Sequence, residues 1–101
     1  MPIRTQISIS GFTKEAVDAG LADLREEFRA RPWPLSVDAR WDSARGRLVI
    51  VVEREGDDPE IQGGDGGATY DEVSDCVWAC YNFPEEGIEF HVDESRALPA
   101  A

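Results

Sequence analysis

The stretch LSVDARWDSARGRLVIVVERE, residues 35–55, decides the fold. Leu35, Val37, Ala39 and Trp41 alternate with Ser36, Asp38, Arg40 and Asp42, the period-2 pattern of a strand with one buried face. Asp42-Ser43-Ala44-Arg45-Gly46 supplies turn chemistry, and Arg47 to Glu55 returns as the second strand of a hairpin. Leu48-Val49-Ile50-Val51-Val52 is apolar on both faces, which suits a central strand or one whose outer face is covered.

On the N-terminal side, Pro32-Trp33-Pro34 stops a helix predicted over 14–30, whose Val17, Leu21, Leu24 and Phe28 recur at four-three-four spacing behind the N-cap Thr13. Gly20 weakens that helix by about 1 kcal/mol relative to Ala, a cost its apolar stripe outweighs. Before it, Ile3, Thr5, Ile7 and Ile9 alternate with Arg4, Gln6, Ser8 and Ser10 as a first strand. On the C-terminal side, a glycine-rich loop over 56–67 leads to Thr69-Tyr70-Asp71-Glu72, which matches a capping box. The helix it opens carries Val73, Cys76, Val77 and Cys80 on one stripe, with Tyr81 at its margin, and stops before Pro84. Ile88, Phe90 and Val92 alternate with Glu89, His91 and Asp93 as a last strand, and 95–101 reads as a flexible tail.

The order β-α-β-β-α-β is the ferredoxin-like, split βαβ plan of an α+β protein. Right-handed crossovers place its antiparallel strands as 4-1-3-2, with two helices on one sheet face. The expectation is a single domain over 1–94. Gly11-Phe12-Thr13 at the first strand–helix junction is superficially similar to the metal-binding loop of heavy-metal-associated domains. The Cys pair of that loop is absent, so no metal function is carried over.

Charge is segregated along the chain. Residues 1–52 carry eight Lys/Arg against seven Asp/Glu and residues 53–101 two against fourteen, so the halves are +1 and −12 in a total of −11. Such a field attracts basic partners and repels phosphate backbones, which argues against direct nucleic-acid binding. An RNA-recognition use of this fold would need stacking aromatics where Gln6, Ser8, Val49 and Val51 stand. No apolar run reaches the roughly 18–20 residues of a membrane span, so a soluble, cytoplasmic protein is expected. Cys76 and Cys80, four apart on a helix, are too far apart to bridge and read as small buried hydrophobes.

No pattern calls for a catalytic residue, a cofactor or a metal. Asp57, Asp58, Glu60 and Asp65 lack the spacing of a calcium loop, and the glycines around Asp65 lack the lysine of a phosphate loop. His91 between Glu89 and Asp93 has no nucleophile beside it in sequence.

Two surfaces remain. Asp57, Asp58, Glu60, Asp71, Glu72, Asp75 and Trp78 are candidate contacts to a protein partner with a basic surface. Gln6, Ser8, Arg40, Val49, Val51, Glu89 and His91 fall on the sheet face away from the helices, as an apolar spot in a polar frame. The leading expectation is a small acidic, non-catalytic protein-interaction module: an inhibitor, an immunity-type protein or a nucleic-acid mimic. The alternative is a dimeric small-molecule-binding domain with its pocket on the open sheet face.

Overall fold

The computed structural model describes residues 2–32, 34–56, 58, 67–81 and 87–99. Strands β1 (Pro2–Ser10), β2 (Pro34–Asp42), β3 (Arg47–Glu55) and β4 (Glu89–Ala97) and helices α1 (Lys14–Arg29) and α2 (Ala68–Cys80) follow in the order β1-α1-β2-β3-α2-β4. All ladders are antiparallel and the sheet runs β2-β3-β1-β4, so the hairpin strand with the longest apolar run is central, as its sequence requires. Ile7, Ile9, Leu48, Ile50 and Val52 from the sheet pack with Val17, Leu24 and Phe28 of α1 and Val73, Cys76 and Val77 of α2. No helix among the described residues is long and apolar enough to cross a membrane.

Local chemistry sets the joints. Thr13 caps α1 by accepting the Ala16 N–H at 3.1 Å. Gly11, at φ +105°, brings the chain so close to Gly87 that a Cβ there would lie 2.0 Å from the Gly87 carbonyl oxygen. In the hairpin turn, Asp42 Oδ1 accepts the N–H groups of Ala44 and Arg45 at 3.0 and 3.3 Å.

Two β-bulges depart from strict alternation. In β2 the register shifts between Pro34 and Ser36, leaving Leu35 as the extra residue; it is not buried in the core as alternation predicts but is 57% exposed. In β4 the shift falls opposite Gln6 and Ile7, leaving Asp93 as the extra residue. Beyond it, Glu94 and Arg96 pair with Gln6 and Arg4 on the open face, while Ser95 and Ala97 pair with Thr5 and Ile3 on the helix side. Without the extra residue both charged side chains would be driven against the helix layer.

That register also corrects the expected boundary at 94. The chain over 95–97 is strand, with Ser95 and Thr5 hydroxyls 3.3 Å apart, and the Leu98 N–H donates to the Pro2 carbonyl at 2.9 Å. The capping box is corrected as well. Helix α2 starts at Ala68 behind Gly67, without a side-chain cap; Thr69 is buried and Glu72 accepts from Arg54 of β3 at 2.9 Å. An ion pair to a neighbouring strand has taken the carboxylate that would have turned back to the helix end. Pro84, read as the helix stop, lies outside the described residues.

Candidate functional site

The open sheet face is built from the polar phase of β1, β2 and β4, with Val49 and Val51 of β3 between them. On the edge strand β4 stands Asp93, its side chain 18% exposed. The bulge aims its carboxylate across the sheet, where Oδ2 accepts from Gln6 Nε2 at 3.0 Å and from Arg45 Nη2 at 3.2 Å. Oδ1 accepts from Ser8 Oγ at 3.0 Å, and that hydroxyl accepts in turn from Arg47 Nη1 at 3.2 Å. Burial alone would raise the Asp93 pKa. The hydrogen bonds from Gln6, Arg45 and Ser8 outweigh it and hold the carboxyl below its ordinary value of 3.8.

Val49, expected as part of an exposed apolar spot, is 0% exposed. It lies in the ladder between Ser8 and Arg40, and the long polar side chains of this face leave it no access to solvent. Val51 is half-buried and Arg40 exposed, while Gln6 and Ser8 are spent on Asp93. The patch is therefore a hydrogen-bonded polar surface rather than an apolar one.

His91 is half-buried, with Nε2 3.1 Å from Ser10 Oγ and 3.9 Å from Glu89 Oε2. Serine and carboxylate thus face the same ring nitrogen. A nucleophile–base–acid relay needs them on opposite nitrogens, so this trio is not one. The two cysteines are free, and burial pushes both thiols up, away from the thiolate a nucleophile requires. No cluster of three or more metal-ligating side chains occurs among the described residues.

The candidate partner contacts scatter. Asp57 and Glu60 lie outside the described residues, and Asp58 is exposed. On α2, Asp71 and Asp75 face solvent, Glu72 is engaged with Arg54, and Trp78 packs on Phe90 with ring centroids 6.1 Å apart, sealing the margin of the core.

The described residues line cavities at several places. One of about 400 Å³ lies on the open face, lined by Arg4, Ser36, Val37, Asp38, Arg40, Val51 and Glu53. One of about 310 Å³ lies between α1 and β2, and one of about 270 Å³ is lined by Phe12, Ala16, Ala19, Gly20, Asp23, Cys80 and Tyr81. The alternation of β2 and β3 had placed Arg40 and Val51 on the face of the first. The Arg45–Asp93 link was missed, because nothing local in sequence joins a turn to a bulge 48 residues away.

No family model matches the chain, and no curated protein matches it. Among solved structures it is similar to Rv0793 from Mycobacterium tuberculosis, at 16% identity and a TM-score of 0.53 over 100% of this chain and 98% of the other. It is also similar to a candidate antibiotic biosynthesis monooxygenase from Bordetella bronchiseptica, at 22% identity and a TM-score of 0.51 over 96% and 98%. What these two likenesses establish is the shared fold.

Proposed function

We propose that the chain is a small-molecule-binding domain whose ligand lies on the open sheet face, roofed by a second copy packed sheet to sheet. The observation that carries this reading is the cavity of about 400 Å³ in which Arg4 and Arg40 flank Val51. Each guanidinium is loosely held: Arg4 is 3.9 Å from Glu53 and Arg40 is 3.8 Å from Asp38, beyond hydrogen-bond length. Both can turn to an anionic group at little internal cost, with Val51 as an apolar floor and Ser36 as a polar contact. The ligand class is a compact polar molecule with one anionic group. A depression on a sheet cannot enclose a ligand as ordinary binding clefts do, which is why the second copy belongs to the reading. Val49 is covered and Asp93 holds the neighbouring side chains in place, so the contact between copies is hydrated rather than apolar.

Binding without turnover, in the reducing cytoplasm that two free cysteines suit, is the proposed role. The name of the Bordetella bronchiseptica neighbour makes oxygenation of the bound molecule the competing outcome, read as oxygen uptake in the presence of a ligand. The test is a screen of small carboxylates by amide NMR with light scattering alongside. A dimer whose Val51 and Arg40 amides shift on titration supports the reading, and Arg4→Gln with Arg40→Gln should weaken binding about tenfold. A monomer at all concentrations, with no response on this face, would end it.

A second reading, the acidic interaction module, is favoured by α2, which contains no Lys or Arg and exposes Asp71 and Asp75. Asp71→Asn with Asp75→Asn should then slow association with a basic partner chiefly at low salt. Equal rates at all ionic strengths would remove it.

A further inference from the structure

The cavity of about 310 Å³ between the C-terminal half of α1 and β2 lies at the β2 edge of the sheet, where it shares Ser36, Val37 and Asp38 with the open-face cavity, and it is lined in part by Arg25, Phe28, Arg29, Arg31, Leu35 and Asp38. The chain has 10 cationic against 21 acidic side chains, yet three cations and one acid line this cavity. Arg25 is fixed, its Nη2 donating to the Ala39 carbonyl at 2.9 Å. Arg29 pairs with Glu26, and Arg31 Nη2 donates to Glu27 Oε1 at 2.9 Å. A guanidinium has five N–H donors, so one carboxylate contact aims each group and leaves donors for a ligand.

A second observation is independent of charge. The β2 bulge has put Leu35, the large exposed hydrophobic among the described residues, at this cavity, with the buried ring of Phe28 behind it. A bulge that re-aims an apolar side chain beside a cluster of guanidiniums prepares a surface for a molecule with both characters.

We propose that this cavity binds an amphipathic carboxylate, its head on Arg29 and Arg31 and its hydrocarbon along Leu35 and Phe28. The volume is at the low end of the roughly 300–1,000 Å³ of ligand clefts, which selects a medium-chain or aryl acid. The C-terminal end of α1 carries the negative end of the helix dipole, so an anion is repelled there unless the guanidiniums receive it. Binding must therefore depend steeply on those two arginines. This site stands whether or not the open face holds a ligand.

The experiment is calorimetric and amide-NMR titration of the full chain with octanoate and, as the counterpart of opposite charge, octylammonium. Octanoate should saturate, shifting amides over 25–31 and 35–39, and octylammonium should bind at least about tenfold more weakly. Arg29→Gln with Arg31→Gln should weaken octanoate by a similar factor, and Leu35→Ser by several-fold, with circular dichroism unchanged because all three side chains are exposed or half-exposed. Equal affinity for the two probes, an unaffected arginine double variant, or no saturable octanoate binding would each overturn the proposal. Should Leu35→Ser fail to fold, the two probes on the unaltered chain decide the matter.

Discussion

Tyr81 closes the helix layer. Its ring lies 5.1 Å from that of Phe12, its hydroxyl donates to the Val17 carbonyl at 3.0 Å, and a Cβ on Gly20 would come within 2.5 Å of its ring. Gly20, which sequence alone shows as a weak point of α1, is the notch that receives this ring. Replacing an ordinary helix glycine with Ala gains about 1 kcal/mol, whereas overpacking costs about 1–3 kcal/mol. Gly20→Ala should therefore lower the denaturation midpoint, and a raised midpoint would mean that the ring swings aside freely. Burial pushes the Tyr81 phenol up to about 12 from 10.0, so its stabilisation is complete below the unfolded value and is lost as pH rises through the folded one. Absorbance titration at alkaline pH should show phenolate appearing together with unfolding. Asp93 behaves in the opposite sense. Its lowered pKa gives stability that is present at neutral pH and lost as pH falls through and below the ordinary carboxyl range. Asp93→Asn should flatten the acid limb of stability measured by urea midpoints against pH, and an unchanged limb would show that the network contributes nothing.

At the scale of elements, the hairpin over 35–55 was legible because period-2 alternation survives in β3 and most of β2. The two bulges were not. One extra residue leaves the run of polar and apolar letters almost unchanged while reversing every side chain beyond it, so Leu35 read as core and 95–97 as tail. The cavity beside Leu35 was hidden for the same reason, since the residue at the bulge is one of those that line it. Thr69 and Glu72 fitted a local cap, but a partner on β3 outcompeted it, and no local pattern announces that. The bulges also blunt both sheet edges, together with the Arg25 guanidinium on the outward carbonyl of Ala39. Deleting Asp93 tests the reading of β4. Glu94 and Arg96 would then rotate toward the helix layer, an arrangement that costs far more than the single hydrogen-bond set lost in Asp93→Ser. The deletion should yield no cooperatively folded protein by thermal denaturation, and the substitution a folded, weakened one. Equal stability of the two would mean that the strand slips register without penalty.

Over the whole molecule the chain carries −11, with the acidic excess in the second half. Among the described residues the ion pairs are mostly local and exposed: Lys14 with Asp18 at 2.6 Å, Arg29 with Glu26 and Arg31 with Glu27 on α1, and Arg96 with Glu94 on β4. Each such pair contributes about 0–1 kcal/mol and is screened by salt. The repulsion among unbalanced carboxylates is also screened, but it acts over the Debye length, roughly 30 Å at about 10 mM salt and roughly 8 Å at about 150 mM, and falls on many more groups, including Asp71 and Asp75 on a helix without a basic residue. Screening therefore relieves more repulsion than it removes attraction, and raising sodium chloride from about 10 mM to about 150 mM should raise the melting temperature by a few degrees. If the melting temperature falls instead, the ion pairs outweigh the net charge. The Arg45–Asp93 link across the open face would then be the first contact to test, by comparing Arg45→Gln with the unaltered chain at both salt concentrations.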